Sequence, residues 1–555
     1  MAALADYPPL LNFTQMEDAI STAEKARKAP PLTVGEHARA AATPTFLEPA
    51  LALASSLLLV ISFPDFELWP LAWVALVPLL LVIANKPHPW RALFLGSLMG
   101  ATFFYGSCHW LTFSMIHYGG IPSWLAYLLL IPGALILGLF PGMFAWTLAR
   151  AIRNWGHRAL FAAPFIWTTL EWVRLEISGQ LWNAIGYSQA FEPWLIQAAR
   201  WGGIYAIGFL VLSVNAAVAY AIAKRTLPAI AVSAAVLSAV ATISLFSYVT
   251  SSTEPKLGQT TTLHVIALQP NVPMDLSKSS EQLQELTKRH VVMSESALAL
   301  LPNDGVPRLV IWPESPMNFA YGVDADFRQL VSSFARENKI LLLFNSQEPA
   351  PNAGLYNSAL LLNEQGNLLG QYDKIRLLPF GEYVPLPRWL PGASLITAIV
   401  GDFTPGRNYS LLPMGFDRAG VFICIESAYP FIARRFTNEG ASLLINISND
   451  GYLGRTAVMR QHLANAVFRA VENTRPILRV TNTGITAYIS PAGEIRDMTA
   501  AFQPAVRTWT IKSDNENKSF YAVHGDIFAR TTLVITMLVL LATFVKRPST
   551  LRATL

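Results

Sequence analysis

Charge is scarce in this 555-residue chain: Asp, Glu, Lys and Arg make up 14% of it, against 52% hydrophobic residues. Soluble domains carry roughly 25% charged residues, so the composition excludes an ordinary soluble protein, and the length exceeds a single domain. Cysteine is scarcer still, with Cys108 and Cys424 alone. Cys108 lies in an apolar run far from the second half, so two free thiols are expected and a disulfide framework is not. No zinc-type Cys/His spacing, P-loop or GxGxxG run is present, and no cofactor or metal is expected. Internal repeats and low-complexity segments are missing as well. The net charge of +5 is weak evidence for a nucleic-acid partner, and none is expected, because the basic residues have a topological use.

What the chain does have is long apolar runs. Between about 45 and 250 they fall at 46–63, 68–84, 92–115, 122–149, 159–178, 203–223 and 227–249, and an eighth runs from 528 to 545. Each is near the ~20 residues that cross a bilayer as a helix, although the first two are short and the fourth contains Pro132 and Pro141. Lys86 and Arg91, then Arg150, Arg153 and Arg158, then Lys224 and Arg225 occupy alternate connections, and Lys546 and Arg547 follow the last run. By the positive-inside rule both ends are cytoplasmic and residues 251–527 face the outer side, in a bacterium the periplasm. The expected layout is a cytoplasmic tail (1–44, without the apolar core of a signal peptide), a membrane domain of about seven spans (45–250), an outer domain (251–527), a last span (528–547) and a short cytoplasmic tail (548–555). Glu171, Arg174 and Glu176 sit near one outer span end, where interface anchoring and a local ion pair compete with a functional role.

From 251 onward short β-type runs alternate with amphipathic segments. The pattern predicts strands at 262–268, 308–312, 340–344, 357–362, 421–424, 443–447, 477–481, 486–489 and 506–511. It predicts helices at 279–300, 325–337, 428–438 and 456–473. Such alternation indicates a layered α/β domain around one core.

Three polar residues end strand-like runs: Glu314 after Leu309-Val-Ile-Trp-Pro, Lys374 after Leu369-Gly-Gln-Tyr-Asp, and Cys424 after Val421-Phe-Ile. Sites in α/β sheets gather at strand ends, so the three can converge. A thiol at the start of the following helix would have its pKa lowered by the helix N-terminus. A cysteine after three apolar residues is equally the pattern of a core position, and a lone Glu or Lys after a strand that of a solvated edge.

Trp312-Pro-Glu314-Ser, Tyr372-Asp-Lys374, Leu378-Pro-Phe-Gly-Glu382-Tyr-Val-Pro and Ile423-Cys424-Ile-Glu426 resemble the nitrilase superfamily. The Pro-Phe-Gly-Glu-Tyr-Val-Pro string and the flanking apolar runs resemble the apolipoprotein N-acyltransferase family within it. So do Ile447-Ser-Asn-Asp450-Gly, the stretch from Arg475 to Thr486, and Asn183-Ala-Ile-Gly-Tyr-Ser-Gln189. The resemblance spans about 45–547. It implies a multi-pass α-helical membrane domain of about eight spans plus an αββα nitrilase-like domain outside the cytoplasm, in the bacterial inner membrane. It implies a Glu-Lys-Cys triad: Glu314 as base and later acid, Lys374 stabilising the carbonyl oxyanion, Cys424 as nucleophile. Glu382 and Glu426 match further acidic positions and are expected to hydrogen-bond the amine or the lysine. The implied reaction moves an acyl chain from a phospholipid, commonly phosphatidylethanolamine, through a Cys424 thioester to the α-amine of a diacylglyceryl-cysteine on an apolipoprotein. A thioester is reactive enough to acylate an amine, and a backbone N–H near Ile425 would aid Lys374 at the oxyanion, such a donor being worth ~3 kcal/mol. A monomer is expected.

The chain departs from the family at three places. Ile425 stands where tyrosine is common after the cysteine, Tyr452 where tryptophan is common after Ser-Asn-Asp, and the 271–280 region lacks a tryptophan, with Lys278 as its counterpart. The apolar stretch 389–400 between the Lys and Cys motifs is either a lipid-dipping lid or a buried helix. The residues alone also admit a membrane-tethered amidase or other nitrilase-like hydrolase, in which water takes the acyl group. A transporter lacks support, because no paired, broken, charged spans appear. An inactive scaffold is disfavoured by retention of all three triad residue types.

Overall fold

The computed structural model describes residues 46–179, 181–251, 261–274, 278–351, 354–379, 381–383, 403–415, 417–513 and 518–545. The possible lid at 389–400 and the tails at 1–44 and 548–555 lie outside them. All eight apolar runs contain helix. The first seven give α1 (Leu47–Ser62), α2 (Val77–Asn85, after a 3-10 turn Trp69–Trp73), α3 (Pro89–Cys108) with the short α4 (Leu111–His117), α5 (Ser123–Trp155), α6 (Ala163–Ser178), α7 (Ala199–Lys224) and α8 (Leu227–Ser251). By length and composition, three stretches among the described residues can cross a membrane: Ser123–Ser178, Ala199–Lys224 and Leu227–Thr250. The first of these holds both α5 and α6, joined by the 3-10 turn Gly156–Ala162. Leu47–Ser62, Trp69–Asn85 and Ile527–Ala542 are apolar but shorter. The 16 residues of α1 rise about 24 Å, less than the ~30 Å of bilayer hydrocarbon.

The prolines at 132 and 141 do not break α5, which continues through both. Pro141 packs instead against α3 at two glycines: a Cβ on Gly100 would come within 2.6 Å of the Pro141 ring, and one on Gly96 within 2.5 Å of its carbonyl. Small residues at this crossing let the two backbones approach, a device typical of helices packed in lipid. Glu171 and Arg174 of α6 are buried. They serve the following loop: Glu171 Oε1 accepts from Ile185 N–H at 2.7 Å, and Arg174 Nη1 donates to the Trp182 carbonyl at 2.9 Å.

The second half is a sandwich of two six-stranded sheets. The strands are β1 (Thr261–Gln269), β2 (Arg308–Ile311), β3 (Leu341–Pro349), β4 (Leu355–Leu362), β5 (Leu368–Asp373), β6 (Leu411–Met414), β7 (Asp417–Ile423), β8 (Leu443–Ser448), β9 (Ile477–Thr481), β10 (Ala487–Ile489), β11 (Ile495–Arg496) and β12 (Ala505–Ser513). One sheet has the order β12-β1-β2-β3-β4-β5, the other β11-β10-β9-β8-β7-β6. Each has a parallel centre, β1-β2-β3 and β7-β8-β9, extended by antiparallel neighbours. Alternate residues explain the layering. Val265, Leu309, Ile311, Leu341, Leu343, Ala359 and Leu361 face the other sheet and join one core with it. Ile266, Val310, Leu342, Phe344, Leu360 and Leu362 point the other way. There they meet Ala297 and Leu298 of α9 (Ser280–Leu298) and Phe327, Val331 and Phe334 of α10 (Ala325–Asn338). Covered on both faces, the strands read as continuous apolar runs.

Helices α11 (Pro430–Asn438) and α12 (Val458–Asn473) cover the second sheet. The chain closes with α13 (Phe520–His524) and α14 (Ile527–Ala542), and α14 packs on α6. From Phe46 onward this is one unit. Its largest apolar core runs from α1–α7 into the space between the sheets, with α12 at the junction: 15 of its residues, from Val458 to Asn473, are buried.

Candidate active site

Val421, Phe422 and Ile423 at the end of β7 are fully buried. The strand stops at Cys424, whose φ of +53° lies in the left-handed region, a conformation that costs a residue with a Cβ roughly 1–2 kcal/mol. A 3-10 turn, Cys424–Ala428, follows, and α11 begins only at Pro430. The expected placement of the thiol at a helix N-terminus is therefore not what forms. Pro430 takes the first helical position, for which its missing N–H and fixed φ suit it, and the 3-10 turn separates it from the cysteine. Nor is the thiol's pKa lowered. Burial pushes it up, the Glu314 carboxylate adds to the rise, and Lys374 opposes both, a balance that favours the thiol over the thiolate.

Glu314, beyond β2, and Lys374, at the end of β5, come together. Lys374 is buried, with Nζ 3.8 Å from Glu314 Oε1 and 2.8 Å from Glu382. Asn357 of β4 ties the two carboxylates, donating to Glu314 Oε1 at 2.9 Å and Glu382 Oε1 at 2.7 Å. Asn345 of β3 holds Asn357 in turn at 2.7 Å. The Asn449 N–H donates to Glu314 Oε2 at 2.9 Å, and the Leu378 N–H to Glu382 Oε2 at 2.7 Å. Burial raises the Glu314 pKa, Lys374 pulls it back, and Glu382 adds to the rise. For Lys374 burial favours the neutral amine, but Glu382 and Glu314 overcome it, so the ammonium is held well above its usual range. Cys424 is electrostatically coupled to both.

Glu426 does something other than expected. Among the described residues it makes no hydrogen bond to Lys374. Fully buried, its Oε1 accepts from the N–H groups of Ile375 at 2.8 Å and Arg376 at 3.0 Å, and its Oε2 from Ile423 N–H at 2.8 Å. Tyr372 Oη, on β5, donates to the same carboxylate at 2.9 Å. This carboxylate staples the loop after Lys374 to the residue before Cys424. Burial pushes its pKa up to about 7, against the pull of the Ile423 and Arg376 N–H groups. The Ile425 side chain is buried. Tyr452 is 42% exposed, its ring 5.7 Å from that of Tyr118, and its carbonyl accepts from Ser114 Oγ at 2.6 Å. It thus lies on the rim, against α4 and the loop that follows.

A buried polar chain beneath the thiol turn carries no motif that sequence reasoning assigned to chemistry. His462 Nε2 donates to the Cys424 carbonyl at 2.9 Å, and His462 Nδ1 lies 2.8 Å from Asp450 Oδ1. Asp450 Oδ2 accepts from Arg479 Nη2 at 2.7 Å. Burial would raise the Asp450 pKa, but Arg479 and His462 together hold it far below the carboxylate range. Further along α12, Arg469 donates to the Ser427 carbonyl at 3.1 Å and pairs with Glu472 at 2.7 Å.

The same helix meets the apolar half. Gln461 Oε1 accepts from Trp110 at 3.1 Å and Trp182 at 2.8 Å, while Nε2 donates to the carbonyls of Pro64 and Ser107. Arg460 pairs with Glu67. α7 is broken at Gly202 and Gly203, and the freed Ile204 N–H donates to Glu472 Oε1 at 2.8 Å. The thiol turn and the apolar helices thus share one strut. Spacing alone gives no signal for it, since its partners lie some 280–400 residues apart in the chain.

Residues 55–217 match the apolipoprotein N-acyltransferase N-terminal domain, and residues 265–515 match the carbon-nitrogen hydrolase family. An apolipoprotein N-acyltransferase of Geobacter metallireducens is 33% identical over 486 residues, 86% of this chain and 92% of that protein. One of Azotobacter vinelandii is 31% identical over 468 residues, 82% of this chain and 87% of that protein. Among solved structures, Saccharomyces cerevisiae Nit3, a member of branch 10 of the nitrilase superfamily, is 18% identical and aligns with 48% of this chain and 94% of its own, with a TM-score of 0.35.

Proposed function

This chain belongs to the apolipoprotein N-acyltransferase family, and from that premise we propose that it transfers an acyl chain from a membrane phospholipid to the N-terminal amine of diacylated apolipoproteins through a thioester on Cys424. It is an acyltransferase. The observation that carries the finer reading is that α12 touches both the thiol turn and the apolar helices, which suits a nucleophile whose two substrates are both lipid-anchored.

In the first half-reaction Glu314 takes the Cys424 proton as Sγ attacks the ester carbonyl. The oxyanion is met by Lys374 Nζ and a backbone N–H at Ile425. The lysophospholipid leaves with the proton from Glu314. In the second, the acceptor amine attacks the thioester, Glu314 takes its proton, and the C–S bond breaks as the amide forms, the departing Cys424 sulfur recovering the proton from Glu314. A base tuned upward by burial fits this double duty. Glu382 and Asn357 keep Lys374 charged and Glu314 aimed. Phosphatidylethanolamine is the proposed donor and a monomer the proposed state. The proposed setting is the bacterial inner membrane, with about eight spans, residues 251–527 in the periplasm and both termini cytoplasmic, following the basic loops.

The acceptor separates this from hydrolysis. Detergent-purified protein given phosphatidylethanolamine and a synthetic diacylated lipopeptide should yield an N-acylated lipopeptide, and Cys424→Ala should yield none. Release of the chain only as free fatty acid would make the protein a membrane-tethered hydrolase instead.

A further inference from the structure

The backbone carbonyl of Cys424 is held by side chains from two elements, α12 and β8. His462 Nε2 donates to it at 2.9 Å and Asn446 Nδ2 approaches at 3.4 Å. Neither donor is free to drift. His462 Nδ1 is 2.8 Å from Asp450 Oδ1, which also accepts from Ser448 Oγ at 2.8 Å. Arg479 closes the loop, reaching Asp450 with one nitrogen and Asn446 with another. His462, Asp450, Arg479, Ser448 and Asn446 are all buried. From the apolar half, the Trp182 ring lies 5.7 Å from the His462 ring, and Gln461, the preceding residue, holds that tryptophan's indole N–H.

A trans peptide is planar, so its C=O and the next N–H point in opposite directions. A Cys424 carbonyl drawn toward His462 turns the Ile425 N–H away from α12. We propose that His462 is a positioning residue for the oxyanion donor: by holding the Cys424 carbonyl it orients the Ile425 N–H toward the acyl oxygen, and Asp450 and Arg479 hold His462 for that task. The left-handed φ of Cys424 gives this tie something to work against, because strain persists only where the surroundings over-determine it. The role rests on the Cys424 acyl-enzyme proposed above.

The test compares wild type, His462→Phe and His462→Gln in detergent micelles of phosphatidylethanolamine, without acceptor. The readout is the single-turnover rate at which Cys424 gains an acyl group by intact-protein mass. Phe keeps a ring beside Trp182 but no donor, and Gln keeps a donor. His462→Phe should acylate about 100-fold more slowly, with the half-saturating lipid concentration within about twofold of wild type. His462→Gln should stay within about tenfold of wild type. Alkylation of Cys424 by iodoacetamide, which needs no oxyanion donor, should proceed alike in all three. Acylation of His462→Phe at the wild-type rate would overturn the inference, as would a Gln variant as slow as the Phe variant, or parallel loss of acylation and alkylation. A wild type that gains no acyl group would overturn the acyl-enzyme itself, and this inference with it.

Discussion

At the scale of single residues, the proton is the issue. Burial and Glu314 push the Cys424 pKa up, which favours the thiol, so attack needs a base within reach. In the proposed reaction Glu314 is that base, and it can serve only while ionised. Its pKa is raised by burial, so its useful form is present above that pKa and is lost as pH falls through it. The rate of Cys424 acylation should therefore fall on acidification with a midpoint above the ~4.3 of an unperturbed glutamate. Glu314→Gln should lower the rate about 1,000-fold, and stopped-flow acylation across a pH series reads both. Glu426 predicts a different effect. Its two oxygens accept from three backbone N–H groups and one hydroxyl, and an amide has only one acceptor oxygen. Glu426→Gln should therefore destabilise the fold by about 1–3 kcal/mol, seen as a lower thermal midpoint in detergent, while Lys374 keeps its bonds to Glu382. The sequence marked Glu426 by its place in a motif but not what it bonds. That depends on Tyr372 and Ile375, brought alongside it by the pairing of β4 with β5 and the approach of β4 to β7.

Among elements, α12 bonds to both the thiol turn and the apolar half. Gln461 uses both its N–H groups and both acceptor sites there. Gln461→Ala takes the partner from the Trp182 indole N–H and the Pro64 carbonyl, while the Trp110 indole N–H keeps the Ser107 carbonyl at 3.0 Å, and should cost on the order of 3 kcal/mol, with acylation slowed even though no site residue changes. Thermal unfolding and single-turnover rates of the same preparation check the pair. The strands β1 to β4 and β7 to β9 were legible because both sheet faces are covered, which leaves apolar runs of strand length. β6 was not: it has four residues, one of them Pro413, tolerated because β6 is the sheet's edge. α11 was placed two residues early, because the 3-10 turn after Cys424 has helix-like composition and only Pro430 marks the start. Glu314, Lys374, Cys424 and Glu382 were legible as strand-end or motif residues. Asp450 and Arg479 stood in family motifs with no role attached, and His462 in none, since a buried histidine looks the same in sequence whether it packs or positions.

For the whole molecule, the apolar runs told where helices lie but not how many cross a bilayer. Among the described residues three stretches are both long and apolar enough, and α1, α2 and α14 fall short of the hydrocarbon thickness, so the proposed count rests on loop charge. A green fluorescent protein fused at the C-terminus should fluoresce and alkaline phosphatase fused there should be inactive; the reverse pair would place that end outside. The proposed transfer stands or falls on the Cys424 thioester. Intact-protein mass spectrometry of the detergent-purified enzyme, incubated with phosphatidylethanolamine and no acceptor, should show one added acyl mass. That mass should map to Cys424, disappear with hydroxylamine and be missing from Cys424→Ala. An acyl mass retained by Cys424→Ala, or none on the wild type while lipopeptide is still acylated, would contradict it.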